Sequence, residues 1–413
     1  ARGETLDAAL TGQVALAGHE PAIQAELKVQ RLKPAIFAPE GLDIPGEVTA
    51  TAELTGSPDQ LSLEVLSAEW TDAGESSARL TGRIADITEL KGIGLSLKGK
   101  LGQAEWLAPV LPESIGAIRS AGLSADISGS HAGLVLDNVS LKAKTADELD
   151  LALSGKLAMT DLMGDLQAGD LDAKLDFSAP TTRAARSLLV DQIPEFGAIQ
   201  GSTDIRSTGG DPALENIVVT TRDKQGIELS LKGRIASFPL HPDRPNRGYD
   251  MDVRMQATKA SVMAERMGLD LTIDGTLNLG YRLEGDTRAL QINRINLTAG
   301  DGAGELLKAK GRILVREWEQ EDPLKSLDLA LELHSNTEIL DAWSTQELPP
   351  LAYIATARLH TVSGRHRVDD FRLASRPGSS LQVLDTGHAE RVTFLPEFGI
   401  EGIRLDSHVL SLI

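Results

Sequence analysis

The chain has 413 residues, no cysteine, and 41 basic against 60 acidic side chains, which gives a net charge of −19. The lack of cysteine excludes disulfides and thiolate metal sites, and nucleic acid is an unfavourable partner because no stretch is basic enough to follow a phosphate backbone. Aromatic residues make up only 3% of the chain, so its apolar surface is expected to be aliphatic.

Both ends of the chain lie in alternating, strand-like sequence, at residues 6–16 and 405–413. The chain contains no apolar run of about 18 residues and no leader in which a charged segment precedes an apolar one. We therefore expect a mature or excised segment of a longer protein.

A short phrase, L-x-G-[RK]-[IL], recurs along the chain with a regular period. The spacings between its glycines are 73, 78 and 78 residues. A second set of glycines, each ending a strand-like run, follows in step with spacings of 73, 80, 76 and 79 residues. The first set is Gly82, Gly155, Gly233 and Gly311, with weaker copies at Gly12 and Gly387, and the second is Gly56, Gly129, Gly209, Gly285 and Gly364.

Two sets of glycines with one period indicate tandem repeats of about 75 residues within one continuous, solenoid-like domain. The predicted intervals are 1–30 for a partial leading repeat, 31–103 for repeat 1, 104–180 for repeat 2, 181–257 for repeat 3, 258–335 for repeat 4 and 336–413 for a truncated repeat 5.

Each repeat opens with an apolar segment that is closed by Pro or Gly and is predicted to be helical or looped. Four or five alternating strands follow, separated by Gly, Pro and Asp turns. The opening segments are residues 32–46, 104–118, 181–197, 259–271 and 336–350.

The alternation of apolar and polar residues predicts an antiparallel sheet with one dry and one wet face. Leu149, Leu151 and Leu153 share one face of a strand, for example. One opening segment of about a dozen residues, at roughly 1.5 Å of rise each, is too short to cover four or five strands. The dry face must therefore curve onto itself, pair with another chain or hold an apolar ligand, unless it lines an ordinary closed core.

The recurrent glycine within a strand favours curvature, because such a glycine commonly marks a bulge or a bend. The sequence thus predicts a mainly β fold. We expect an elongated, curved antiparallel β-sheet that forms a groove, a β-taco, from tandem repeats that each carry a short helix.

This cycle of an apolar segment, a strand ending in Gly, and L-x-G-[RK]-[IL] resembles the AsmA-like family of bacterial envelope proteins, relatives of TamB and YhdP. Residues 122–159, GLSADISGSHAGLVLDNVSLKAKTADELDLALSGKLAM, match the style of that family closely. The resemblance covers nearly the whole chain, and the opening segments are more similar to AsmA and YhdP relatives than to the plainer TamB repeats.

The resemblance implies a U-sectioned sheet in the periplasm of a Gram-negative bacterium, anchored in the inner membrane by a tether that this segment lacks. It also implies transport of phospholipid between the inner and outer membranes through the apolar groove. The inward aliphatic positions expected to line the groove are Leu95, Leu97, Leu151, Leu153, Leu175, Phe177, Leu229, Leu231, Val253, Met255, Leu279, Tyr281, Leu329 and Leu331.

The sequence offers no candidate catalyst, metal site or cofactor site. The eight histidines form no dense set of ligands, and the glycine-rich stretch 300–304 lacks the Lys and the helix that a phosphate loop requires. We therefore expect that the chain is not an enzyme and has no cofactor.

Two other functions stay open at this point. One is an envelope assembly scaffold, in which a sheet edge pairs with an outer-membrane β-barrel or a periplasmic protein by strand addition. The other is a passive spacer that sets the distance between two membranes.

Overall fold

The structure, a computed structural model, is mainly β. It describes residues 6–17, 20–34, 44–102, 106, 117–160, 167–185, 195–208, 210–238, 246–266, 275–286, 288–301, 306–316, 324–335, 353–362, 365–375 and 404–405. Within these ranges antiparallel strands dominate, as the sequence predicts, and a single α-helix is found.

The chain divides into two compact units. Unit 1 comprises Ala1–Ile193 and Ala198–Asn216, and unit 2 comprises Pro194–Gly197 and Ile217–Ile413. The division falls within the twelfth strand.

Unit 1 is an antiparallel meander in which each strand from β1 to β11 pairs with the next. Its strands are β1 (Leu6–Ala17), β2 (Glu20–Leu32), β3 (Glu47–Ser57), β4 (Gln60–Thr71), β5 (Ser77–Asp86), β6 (Lys91–Leu101), β7 (Ile118–Ser130), β8 (Gly133–Thr145), β9 (Asp150–Thr160), β10 (Gln167–Ala179), β11 (Ala198–Thr208) and the first part of β12 (Ala213–Arg222).

Unit 2 is also a meander, in which the strands from β13 to β20 pair in antiparallel order. Its last strand, β21, forms a short parallel pairing with β20. After the rest of β12 its elements are β13 (Ile227–Ser237), β14 (Arg247–Ala257), α1 (Ala260–Arg266), β15 (Thr276–Asp286), β16 (Ala289–Gly300), β17 (Leu306–Arg316), β18 (Leu324–Ser335), β19 (Tyr353–Val362), β20 (Arg365–Ser375) and β21 (Arg404–Leu405).

The strands fall four to a predicted repeat. Repeat 1 contains β3–β6, repeat 2 contains β7–β10, repeat 3 contains β11–β14 and repeat 4 contains β15–β18. The phrase L-x-G-[RK]-[IL] lies in the third strand of each of these repeats, and Gly56, Gly129 and Gly285 lie at the end of the first strand. Gly209 and Gly364 lie outside the described residues.

Each unit has one apolar and one polar face. In unit 1 a register row on the apolar face joins Leu123, Leu141, Leu153 and Leu175 across four neighbouring strands. In unit 2 a row joins Leu229, Met255, Leu279, Leu297, Ala309 and Leu331. The predicted alternation is confirmed in β14, where Met251, Val253, Met255 and Ala257 are buried and every second residue between them is exposed.

A bulge lies beside the recurrent glycine, but on the neighbouring strand. In β16, Asn293 and Arg294 stand opposite the single residue Arg312, next to Gly311 in β17. The same two-to-one pairing occurs in β8 opposite Lys156 and in β4 opposite Arg83. The predicted bend is therefore made by an extra residue in the second strand, which locally kinks and twists that strand.

The second bulge residue has a left-handed backbone conformation in β8 and β16, with φ of 52° at Asn138 and 53° at Arg294, and Asn216 in β12 has a φ of 52°. Asn138 Nδ2 donates to Asp126 Oδ2 at 2.9 Å, and Asn216 Nδ2 donates to Asp204 Oδ2 at 2.7 Å. Asparagine tolerates this conformation better than most residues, and it holds this place in repeats 2 and 3, whereas repeat 4 has Arg294.

The opening segment of repeat 4 is helical as predicted, at α1 (Ala260–Arg266). The helix contacts β14 and β15, and Met263 and Ala260 are fully buried. The other predicted helical segments lie largely outside the described residues.

Candidate functional site

Many large side chains on the apolar face of unit 1 are only partly buried. The fully covered positions on that face include the large residues Leu149 and Ile199 as well as the small residues Ala121, Ala125 and Ala173, whereas Leu123, Leu141 and their row partners are intermediate in exposure. In a closed core the large aliphatic residues would be the ones most often buried. Part of this aliphatic surface therefore remains exposed.

Twelve of the fourteen residues predicted to line a groove are intermediate in exposure, neither fully buried nor fully exposed. In unit 1 these are Leu95, Leu97, Leu151, Leu153, Leu175 and Phe177, and in unit 2 they are Leu229, Leu231, Leu279, Tyr281, Leu329 and Leu331.

The other two predicted residues, Val253 and Met255, are buried, with 3% and 8% exposure. Both lie on β14, against which α1 packs. Strands β13 and β15 lie on either side of β14, so a ligand on the apolar face of unit 2 would contact those strands.

The register brings the predicted residues of each unit together. In unit 1, Leu153 pairs with Leu175 and Leu151 pairs with Phe177. In unit 2, Val253 lies between Leu231 and Tyr281. These predicted positions therefore lie side by side in apolar rows, whereas Leu95 and Leu97 pair with Ile127 and Ala125.

Several partly exposed residues on the apolar faces escape prediction from alternation because the bulges change its phase. Leu136 and Leu141 are five residues apart in β8, which in a regular strand places them on opposite faces. The bulge at Asp137 and Asn138 resets the phase, so that Leu136 pairs with Leu157 and Leu141 with Leu153 on one face. The sequence signal available is the Asp-Asn pair, a common feature of left-handed positions.

Tyr281 is the one predicted groove residue with a polar tip. Burial raises the pKa of its phenol, so the group stays protonated and remains a hydrogen-bond donor at neutral pH. It adds a directional contact to an otherwise aliphatic surface.

The polar faces carry interleaved charges that pair across strands. Lys156 Nζ lies 3.1 Å from Asp137 Oδ1 in unit 1, and Arg282 Nη2 lies 2.6 Å from Asp250 Oδ1 in unit 2. Exposed pairs of this kind contribute about 0–1 kcal/mol each. Their main consequence is that one face of each unit is well solvated.

Within the described ranges, no group of three or more His, Asp or Glu side chains is arranged to hold a metal ion. In the same ranges, no helix has the length and apolar character needed to span a bilayer.

No family model, curated protein or solved structure matches the chain.

Proposed function

We propose that the chain binds the acyl chains of phospholipids on its apolar faces and supports lipid transport between the inner and outer membranes. It would act as the periplasmic segment of an AsmA-like protein and would catalyse no reaction. The observation that supports this proposal is the partial exposure of the large aliphatic side chains that lie in rows in each unit.

The chemistry of these rows suits acyl chains. Each methylene group moved from water to an apolar surface contributes about 0.8 kcal/mol, and this contribution depends little on which aliphatic residue is contacted. A lipid could therefore shift from one row to the next without leaving a deep energy minimum. The lipid headgroup would stay in contact with water, and the polar faces of the sheet are solvated in the same way.

A second candidate function is an assembly scaffold that pairs through a strand edge. The observation that favours it is in β1, which pairs with β2 along one side and exposes Leu10 by 64% and Val14 by 62%. An exposed apolar strand of this kind is a template for strand addition. This function predicts a protein partner and no tightly held lipid.

The deciding experiment compares the lipid that co-purifies with the chain and with the double variant Leu153→Asp, Leu231→Asp. Each substitution places a carboxylate in the middle of an apolar row, so we expect loss of most bound phospholipid, measured by mass spectrometry of organic extracts, and a block of lipid passage.

The matched control is Ser154→Asp with Ser230→Asp. It adds the same two charges one residue away on the polar faces, where Ser154 pairs with Ser140 and Lys174 and Ser230 pairs with Arg254. The control should retain its lipid. Equal lipid content in the wild type and the Leu153, Leu231 variant would refute the proposal, and absence of lipid with capture of a barrel protein would favour the scaffold.

A further inference from the structure

A notch lies on the polar face of unit 1, at the point where Gly122 interrupts the side chains of β7. A β-carbon placed on Gly122 would have no atom of the described residues within 4 Å, so the space above this residue is open. Lys100 of β6 and Lys142 of β8 are the register partners of Gly122. Because neighbouring strands lie about 4.8 Å apart, the two lysines flank the notch at a distance of two strand spacings.

Two hydroxyl groups and two further lysines surround the same notch. Ser120 and Ser124 lie two residues on either side of Gly122 in β7, and alternation places all three on the polar face. Ser124 pairs with Lys98 of β6, and Ser120 pairs with Lys144 of β8. Four lysines and two hydroxyls therefore surround one residue that has no side chain.

Three of these four lysines have no ion pair within the described part of the chain. Lys98, Lys100 and Lys142 are exposed, and among the described residues no carboxylate oxygen lies within 4.0 Å of their ammonium groups. Lys144 is the exception, since its Nζ lies 3.6 Å from Asp150 Oδ1. Most of the positive charge around the notch is therefore not neutralised by the protein.

No acidic residue stands directly opposite the three unpaired lysines. Their outer register partners are Ser77 and Arg79 in β5 and Ala152 in β9. The acidic residue of β7 is Asp126, which accepts a hydrogen bond from Asn138 Nδ2 at 2.9 Å. That bond is the main reason that the pKa of Asp126 lies below its usual value, and the charge of Lys98 is a smaller cause. Asp126 thus attracts Lys98 but leaves Lys100 and Lys142 without a counter-charge.

The equivalent rows of repeats 1 and 4 are not basic. Counting four residues on from the second bulge residue aligns the second strands of these repeats with β8. The equivalent rows are Thr49 and Glu69 in repeat 1, and Gln256, Asn278 and Thr298 in repeat 4. Both rows lack lysine and arginine, and both have a side chain in the place of Gly122. Repeat 2 therefore differs from these repeats in having both the open notch and the lysines beside it.

We propose that the notch formed by Gly122, Lys100 and Lys142 is a binding site for a phosphate group, either free or part of a lipid headgroup. Ammonium groups and hydroxyls both donate hydrogen bonds to phosphate oxygens, and a glycine lets a ligand approach the backbone closely. Since the chain as a whole carries a charge of −19, a local group of unneutralised cations is needed to hold an anion. The site lies on the face opposite the apolar rows, so it does not depend on acyl-chain binding.

The test is a calorimetric titration of the full, delipidated chain with inorganic phosphate at constant ionic strength. A lysine beside an anionic phosphate group contributes a factor of about five in affinity. We therefore expect the double variant Lys100→Gln, Lys142→Gln to bind phosphate roughly 25-fold more weakly. Gly122→Thr should weaken binding by a comparable factor without any change of charge, because it fills the notch with the residue that repeat 1 has at this place.

The matched control is the double variant Lys156→Gln, Lys174→Gln, which removes the same two positive charges from the polar face of unit 1. Lys156 pairs with Asp137 and Lys174 pairs with Asp176, each at 3.1 Å, so the control should retain its phosphate affinity. Gly122→Thr keeps the test informative if the variant of Lys100 and Lys142 fails to fold, because threonine is favourable in strands and the site above Gly122 is open.

A second arm distinguishes the two sources of the phosphate by flotation with vesicles of phosphatidylglycerol or of phosphatidylcholine. Loss of vesicle binding in Gly122→Thr would assign the site to lipid headgroups. Weakened binding of inorganic phosphate with unchanged vesicle binding would assign it to the free ion. The Leu153→Asp, Leu231→Asp variant, which tests acyl-chain binding, should keep its affinity for inorganic phosphate.

Two results would overturn the proposal. One is a wild type that binds neither inorganic phosphate in a saturable manner nor phosphatidylglycerol vesicles. The other is an equal loss of affinity in the Lys100, Lys142 variant and in the Lys156, Lys174 control, because general charge attraction would then explain the binding.

Discussion

Replacing Gly233 with alanine is expected to lower the free energy of unfolding of the chain by about 2 to 4 kcal/mol. Gly233 has a φ of +158°, and a β-carbon there would lie 2.1 Å from the carbonyl oxygen of Asp250 and 2.6 Å from Cα of Met251. Both atoms belong to the backbone of β14, which pairs with β13 at this point. Relief of the contact requires the two strands to separate.

The measurement is urea unfolding followed by circular dichroism, with Gly280→Ala as the control. Gly280 also lies within a strand of unit 2, but its β-carbon would have only an ordinary contact, at 3.9 Å from the carbonyl oxygen of Val253. Alanine at this position should be neutral or slightly stabilising. Equal unfolding midpoints for the Gly233→Ala variant and the wild type would show that the close approach is not what requires glycine in L-x-G-[RK]-[IL].

The second large effect concerns the attachment of α1. Asp223→Ala is expected to lower the free energy of unfolding by about 2 to 3 kcal/mol. Breaking a fully buried ion pair typically lowers it by roughly 3–5 kcal/mol. The smaller effect is expected here because the Arg266 side chain is 26% exposed. Arg266 Nη2 lies 2.7 Å from Asp223 Oδ2, whose side chain is only 4% exposed. Arg266 also donates to the carbonyl oxygen of Glu195 and to Gln225 Oε1, each at 2.7 Å.

Asp223 also shapes the turn between β12 and β13, so the two roles must be separated. Its Oδ1 accepts the backbone N–H groups of Gln225 and Ile227. Asp72 makes the same turn between β4 and β5, where its Oδ1 accepts the N–H groups of Gly74 and Ser76. The free energy of unfolding lost in Asp72→Ala therefore measures the contribution of the turn. The additional loss in Asp223→Ala measures the contribution of the ion pair.

Proteolysis gives a second readout for this prediction. Loss of the Arg266 contact should make α1 easier to cleave while the β14–β15 pairing persists, and Arg266→Met should reproduce the effect. If Asp72→Ala and Asp223→Ala lower the free energy of unfolding equally, the ion pair contributes nothing to the attachment of the helix.

The sequence could predict the repeat because the properties that define it are local. A glycine that must approach a neighbouring carbonyl is needed wherever the strand pairing recurs, so Gly155, Gly233 and Gly311 mark the third strand of each repeat. Alternation is equally local, since successive side chains point to opposite faces. These local properties are sufficient to predict the strands, the recurrent glycines and the apolar face of β14.

The face on which each apolar residue lies could not be predicted in this way where a strand contains a bulge. A bulge residue such as Asn138 shifts the alternation by one position, so that Leu136 and Leu141 share a face although their spacing assigns them to opposite faces. The position of α1 was also hidden, since a pattern of apolar residues does not specify which strands a helix will cover. Alternation likewise does not specify how far each apolar side chain is covered, and Val253 and Met255 are buried whereas Leu231 and Tyr281 beside them are partly exposed.

The amino-acid sequence alone thus determined the β-rich tandem repeat and its two chemically different faces, because backbone geometry and side-chain alternation act over a few residues. The tertiary structure decided which apolar side chains remain partly exposed and which of them join one row. Leu229 and Leu331 are far apart in sequence and join one row only because the strands from β13 to β18 pair in one register. Register depends on bulges and turns along several strands at once, and no single segment encodes it.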